Sequence, residues 1–193
     1  MKNIICFLVL IVLANVQVAY AFDDNRQGFL IGLGVGYHNI DIDFKYNGSN
    51  IASQSENGIA TSFKIGGGFT NQFLLYYVRN SSWYNAPYYD GFTTSDITYT
   101  IGLTGIGATY YLSPTSPSVY FLGAIGAGDI SAPFESGAKP DTGSAFMIGG
   151  GYEASKHIQY ELTLLTTNID SQDDSQLKLE TSSIQATINY MWY

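Results

Sequence analysis

The chain is short of cysteine, of charge and of long apolar runs. Its one cysteine, Cys6, cannot close an internal disulfide or build a cysteine-based zinc site. Charged residues make up only 12% of the 193 residues, where a soluble domain carries about 25%. Bases are scarcer than acids, 8 against 16, and the net charge is −8. That balance disfavours nucleic-acid partners, since phosphate binding needs a basic face. No stretch reaches the ~20 apolar residues of a transmembrane helix. What the chain does have is 15% aromatic residues and 21 glycines, the opposite of a disordered composition. The length suggests one domain.

Lys2 is the only charge ahead of Asp23. An apolar run follows from Ile4 to Leu13, and the segment ends in Ala19-Tyr20-Ala21. A basic start, a short apolar core and an A-x-A exit predict a secretory signal peptide over residues 1–21. Cleavage after Ala21 would remove Cys6 and Lys2, leaving a cysteine-free domain of residues 22–193.

The rest alternates with a period of two, the mark of half-buried strands. Ile184, Ala186, Ile188, Tyr190 and Trp192 alternate with Ser183, Gln185, Thr187 and Asn189, for example. Eight strands are predicted, roughly over Gly28–Phe44, Ile59–Phe69, Phe73–Asn80, Ser95–Leu112, Ser118–Ala127, Ser144–Ala154, Ile158–Asn168 and Leu179–Trp192. The third is apolar on both parities. The fourth changes parity between Leu103 and Ile106, which predicts a bulge near Thr104-Gly105.

Long polar connections (45–58, 81–94, 128–143 and 169–178) alternate with short ones (70–72, 113–117 and 155–157). Four long and three short links between eight strands fit an all-β, eight-stranded antiparallel up-and-down transmembrane β-barrel with both termini on the periplasmic side. Phe69, Phe73, Tyr110, Tyr111, Tyr120, Phe121, Tyr152, Tyr160, Tyr190, Trp192 and Tyr193 cluster by the short turns and the C-terminus, as an interfacial girdle would.

In lipid, charges on the strands must face the lumen. Lys64, Arg79, Glu153 and Glu161 are therefore expected to form part of an internal ion-pair network, with inward glycines, Gly102 among them, leaving room. Alternation alone fits equally a soluble barrel turned inside out, with its apolar parity inward around a ligand cavity.

On these features the chain resembles the small outer-membrane barrels of the OmpX/Ail type and the barrel domain of OmpA. The resemblance lies in overall pattern, in the glycine-rich opening strand Gly28–Tyr37 and in the aromatic closing segment Ile184–Tyr193. It implies the cell outer membrane, lipid and lipopolysaccharide around the wall, and a monomer. It also implies that Tyr190, Trp192 and Tyr193 supply a C-terminal signal read by the barrel-assembly machinery. The pattern departs at the end, where the apolar parity stops at Trp192.

Other motifs weigh less. Gly32-x-Gly34-x-Gly36 lacks the spacing and following helix of a dinucleotide loop. His38 falls on the inward parity near Asp41 and Asp43. His157 sits in a short turn. Neither shows a nucleophile–base arrangement, so no enzyme activity, cofactor or metal is expected. The long connections are acidic, which disfavours heparin-like ligands and leaves weak divalent-cation bridging to lipopolysaccharide as the sharper reading. Trp83, Tyr84, Tyr88, Tyr89 and Phe92 form an aromatic cluster that is either a loop interaction surface or the outer rim of the barrel. The expected role is structural or surface-interactive: envelope integrity, and loop-mediated contact with lipopolysaccharide, host or phage. Three alternatives stay open: a lipid A-modifying barrel enzyme, a soluble lipocalin-like periplasmic carrier, and a narrow channel for small apolar molecules.

Overall fold

The computed structural model describes residues 25–89, 94–135, 137, 139–172, 174 and 176–193. The expected signal peptide lies outside them. Eight strands follow one another: β1 (Gly28–Tyr46), β2 (Ser49–Gly68), β3 (Phe73–Tyr89), β4 (Thr94–Tyr111), β5 (Ser118–Ser131), β6 (Asp141–Glu153), β7 (Ile158–Asp170) and β8 (Leu177–Trp192). Each pairs antiparallel with the next, and β1 pairs with β8, closing the barrel. Turns 69–72, 112–117 and 154–157 and both described termini share one end, called here the terminal end.

The strands run further than expected toward the far end. β1 and β2 have 19 and 20 residues, about twice the 9–11 that cross a bilayer. The connection expected over 45–58 is instead the two-residue turn Asn47-Gly48, with φ of 50° and 79°. Asn-Gly between alternating residues is the strongest short-range hairpin signal, because both central positions need φ > 0. A Cβ at Gly48 would meet nothing within 4 Å, so Gly48→Ala tests backbone strain alone. It should lower the unfolding free energy in urea by about 1–2 kcal/mol, with the barrel still formed.

The expected bulge in the fourth strand is absent. β4 keeps an unbroken register with β3 and with β5 through Thr104 and Gly105. The parity changes because the amphipathic pattern inverts partway along the wall. In the terminal half, apolar side chains point out: Leu33, Val35 and Tyr37 on β1, Ile106 and Tyr110 on β4, Leu162 and Leu164 on β7, Ile184 and Ile188 on β8. Further up the same strands, Ile40 and Ile42, Ile101 and Leu103, Leu165 and Ile169, and Leu179 point in and are buried. Asn39, Asp41, Asn168, Asp170 and Ser182 take the outward places there and are exposed. Lipid against the lower wall and water against the upper wall would produce this switch, since each favours a different outward face.

Inside, glycines make room for large rings. A Cβ at Gly107 would lie 2.5 Å from the Tyr76 ring, and one at Gly151 2.4 Å from the Tyr120 ring. Gly102, expected inward, falls on the outward parity of β4, which runs through Thr104 and Ile106.

Candidate functional site

The lumen is filled in tiers. At the terminal end Arg26, just ahead of β1, is buried against Glu153 at the end of β6. Its Nε donates to both Glu153 oxygens at 3.2 and 3.0 Å, and Nη2 closes on Oε2. Its Nη1 donates to the carbonyls of Asn71 and Ser113, each at 2.8 Å, tying two turns together. The guanidinium lies 3.8 Å over the Tyr111 ring. Glu153 also accepts from Ser116 Oγ and from Tyr193 Oη, the latter at 3.2 Å. Gln159 donates to the Tyr111 and Tyr193 hydroxyls at 2.7 and 2.6 Å. One ion pair thus gathers the segment ahead of β1, two turns, β6 and Tyr193 into a plug.

Above it, Lys64 on β2 donates to Glu161 on β7 at 2.6 Å, and both are buried. Tyr120 donates to the same carboxylate at 3.1 Å. Next come small polar side chains: Ser82 and Ser183 share a hydrogen bond of 3.0 Å, and Gln185 donates to Ser82 at 3.0 Å. The far-end tier is apolar, built from Ile40, Ile42, Tyr84, Ile101, Ile169 and Leu179. Apolar residues in the lumen are the reverse of the simple polar-inside expectation; this tier follows from the inversion along the wall, while Leu30, Leu74, Leu122, Met147 and Met191 fill space between the polar groups below it.

The four charges expected in one network are not together. Lys64 and Glu161 form one buried pair, and Glu153 pairs with Arg26. Arg79 stands on the outward parity of β3 with Tyr77 and Trp83, and its guanidinium binds Asp129 and Thr104 across β4. It sits where the outward belt ends, so its charge meets a carboxylate at the rim rather than lipid. Strand parity would have shown this: Leu74, Tyr76, Val78 and Asn80 take the inward places. Arg26 was missed because it precedes every strand and carries no periodicity.

The girdle holds in part. Phe69, Phe73, Tyr110, Phe121, Tyr152, Tyr160 and Tyr190 are exposed beside the terminal-end turns. Tyr111, Tyr120 and Tyr193 instead point inward and are buried; the Tyr111 and Tyr193 hydroxyls serve the plug and the Tyr120 hydroxyl serves Glu161. Tyr190 and Trp192 pack together on the outer wall, 4.5 Å between centroids. The strand keeps its alternation to the end, so Tyr193 is lumenal without a kink.

His38 is fully buried. Its Nε2–H donates to the Trp83 carbonyl at 3.0 Å, which leaves Nδ1 as the bare acceptor. Nδ1 has no partner among the described residues. Asp41 and Asp43, expected near it, lie on the opposite face of β1, hydrogen-bonded to Ser55 and Ser53 at 2.5 Å each. Among the described residues no acid is hydrogen-bonded to this imidazole. His157 is held by the Met191 carbonyl at 2.7 Å and stacks on Tyr190. Among the described residues no cluster of three or more His, Cys, Asp or Glu could hold a metal.

The outer rim is laced with its own ion pairs. Lys45 donates to Glu180 at 2.5 Å and Lys178 to Asp170 at 2.8 Å. The hydrogen bond and charge of Asp170 lift the Lys178 ammonium above the ordinary lysine range.

The wall forks between β2 and β3. Their pairing starts at Ile59 with Trp83 and runs only toward the terminal end. Above that level β2 pairs with β1, and β3 with β4. A notch of about 420 Å³ opens at the fork, with Asn57, Ile59, Trp83, Tyr84, Asn85 and Thr98 among its walls. Trp83 stands on the outer face, its indole N–H donating to Thr61 at 2.8 Å. Tyr84 points inward and stacks on Tyr99 at 5.7 Å. Tyr88 and Tyr89 close β3; their side chains and Phe92 lie outside the described residues. The aromatic cluster is thus divided between outer face and lumen.

A closed barrel with ion pairs inside and apolar side chains outside is a membrane barrel, and the chain has the fold of the small eight-stranded outer-membrane barrels. Neither a protein-family model nor any curated protein matches it. Among solved structures it is similar to Ail, the attachment invasion locus protein of Yersinia pestis, at 13% identity and a TM-score of 0.52, covering 84% of this chain and 99% of that one. It is also similar to the outer membrane protein OprG of Pseudomonas aeruginosa (10% identity, TM-score 0.48, 88% and 99% covered). Neisserial surface protein A is a third (10% identity, TM-score 0.48, 82% and 96% covered).

Proposed function

We propose that the mature protein, residues 22–193, is a monomeric, non-catalytic barrel of the bacterial outer membrane. Its far end is the extracellular one and offers a surface to lipopolysaccharide, host or phage. Its signal peptide directs export, and Tyr190 and Trp192 on the outer wall suit recognition by the barrel-assembly machinery. One observation carries the reading. The described lumen is occupied from the Arg26–Glu153 plug to the apolar tier of Ile40, Ile42 and Leu179, while the strands continue past the lipid-facing belt. An eight-stranded barrel is wide enough for its side chains or for one small ligand, and here the side chains fill the space, so this molecule works through its outer surface. Five far-end carboxylates, Asp41, Asp43, Asp129, Asp170 and Glu180, are tied to Lys45, Arg79, Lys178 or local hydroxyls, which suits a solvated surface more than a polyanion receptor.

The absence of cysteine after residue 6 makes the test simple. Ser53→Cys lies on the exposed far-end part of β2, and Lys156→Cys in the exposed turn 154–157. A membrane-impermeant maleimide should label position 53 on intact cells, and position 156 only after the outer membrane is opened. Labelling of position 156 on intact cells, or protection of both, would contradict the reading.

A further inference from the structure

We propose that the fork between β2 and β3 is a binding site for a neutral saccharide, an inference that rests on the surface-interaction reading above. The notch combines two chemistries that few ligands need together. Trp83 and Ile59 give it an apolar lip, with Phe134 from the 132–140 connection 6.3 Å from the Trp83 ring. Asn57, Asn85 and Thr98 give carboxamide and hydroxyl groups that both donate and accept. Asn85 Oδ1 already accepts from Thr98 Oγ1 at 2.8 Å, which aims the carboxamide N–H groups away from that bond. A pyranose ring matches this pair: its C–H face packs on an indole while its hydroxyls bond to amides. The volume lies within the range of small-ligand pockets.

Other occupants fit less well. None of the lining residues is charged, so a phosphate or sulfate would meet no cation. Acyl chains would offer no acceptor to the carboxamide N–H groups of Asn57 and Asn85. The level also fits a sugar. Ile59 is the last exposed apolar residue of β2 before the polar stretch that begins at Asn57, so the notch straddles the upper limit of the belt. Lipopolysaccharide presents the neutral hexoses of its outer core above that height, while a free glycan would arrive from outside.

The test uses the folded full-length mature barrel in detergent, with Trp192→Phe so that Trp83 is the sole indole. The probes are the neutral outer-core oligosaccharide of lipopolysaccharide, whole rough lipopolysaccharide that carries it, core-free lipid A, maltoheptaose and toluene. Trp83 emission should change saturably with core oligosaccharide and with rough lipopolysaccharide, and not with lipid A. In Asn57→Ala/Asn85→Ala the half-saturation concentration should rise about tenfold, as the loss of two ordinary hydrogen bonds predicts. A response to core oligosaccharide alone assigns the site to the membrane's own lipopolysaccharide. A response to maltoheptaose as well assigns it to saccharides at large. No response to any saccharide, a response confined to lipid A or toluene, or an unchanged response in the double variant would overturn the proposal. A heat-dependent gel shift confirms that each variant is folded. Failure here with correct maleimide labelling removes only the saccharide site, whereas wrong labelling removes the surface reading itself.

Discussion

Lys64→Met is expected to destabilise the barrel by about 3–5 kcal/mol, because it leaves the Glu161 carboxylate buried without its cation. Glu161→Met should cost a similar amount by stranding the ammonium. The double replacement should recover most of the loss, since two apolar side chains of similar volume remove the desolvation penalty along with the attraction. Both groups are buried, and the pair spans the lumen from β2 to β7. Tyr120 is the only other hydrogen-bond donor to Glu161 among the described residues, so little else compensates. Urea unfolding of the four proteins in one detergent measures the cycle. Additive losses would show that the pair is not coupled and that the lumen holds enough water to solvate each charge separately.

Two arginine substitutions on one strand should separate strongly. Leu162 and Asn168 both point outward from β7, below and above the inversion. Leu162→Arg should cost about 2–4 kcal/mol, as a charge near the bilayer midplane does, and Asn168→Arg about 0–1 kcal/mol, as one near the interface does. Unfolding in lipid vesicles, where the bilayer has a defined depth, is the measurement. Equal costs at both positions would place the two at the same depth and remove the inversion as a membrane boundary. The contrast should shrink for the same variants unfolded in small micelles, which bend around a charge more readily.

The inversion also explains how far the sequence could be read. Strand number, antiparallel order and the terminal-end turns were legible because most strands' lower halves alternate cleanly, as in Ile158–Leu164 and Ile184–Trp192, with β3 the exception. The upper halves were not, because the rule linking parity to face reverses there. Ile101 and Leu103 looked like a register slip when they were apolar residues turning away from water. Ile40 and Ile42 follow the same logic after Tyr37. Asn47-Gly48 was legible in principle and was passed over inside a polar stretch that reads as a loop on composition. At the site, the inward placement of Lys64, Glu153 and Glu161 followed from parity and the need of buried charges for partners, but which charge pairs with which did not. Arg79 could have been placed by the same rule once β3's inward residues were known. Arg26 could not, since its position is set by the two turn carbonyls it binds. The fork is invisible in the sequence, for pairing that stops at Ile59 and Trp83 leaves no mark on either strand's alternation.

The most direct test of a lipid-facing barrel with a filled lumen is the heat-dependent gel mobility of the mature protein after cell fractionation. The protein should appear in the outer-membrane fraction, migrate in SDS as a compact species without heating, and shift to the unfolded position on boiling. A soluble periplasmic protein with no shift would contradict the account, because its exposed Leu33, Val35, Leu162 and Ile188 would then face water.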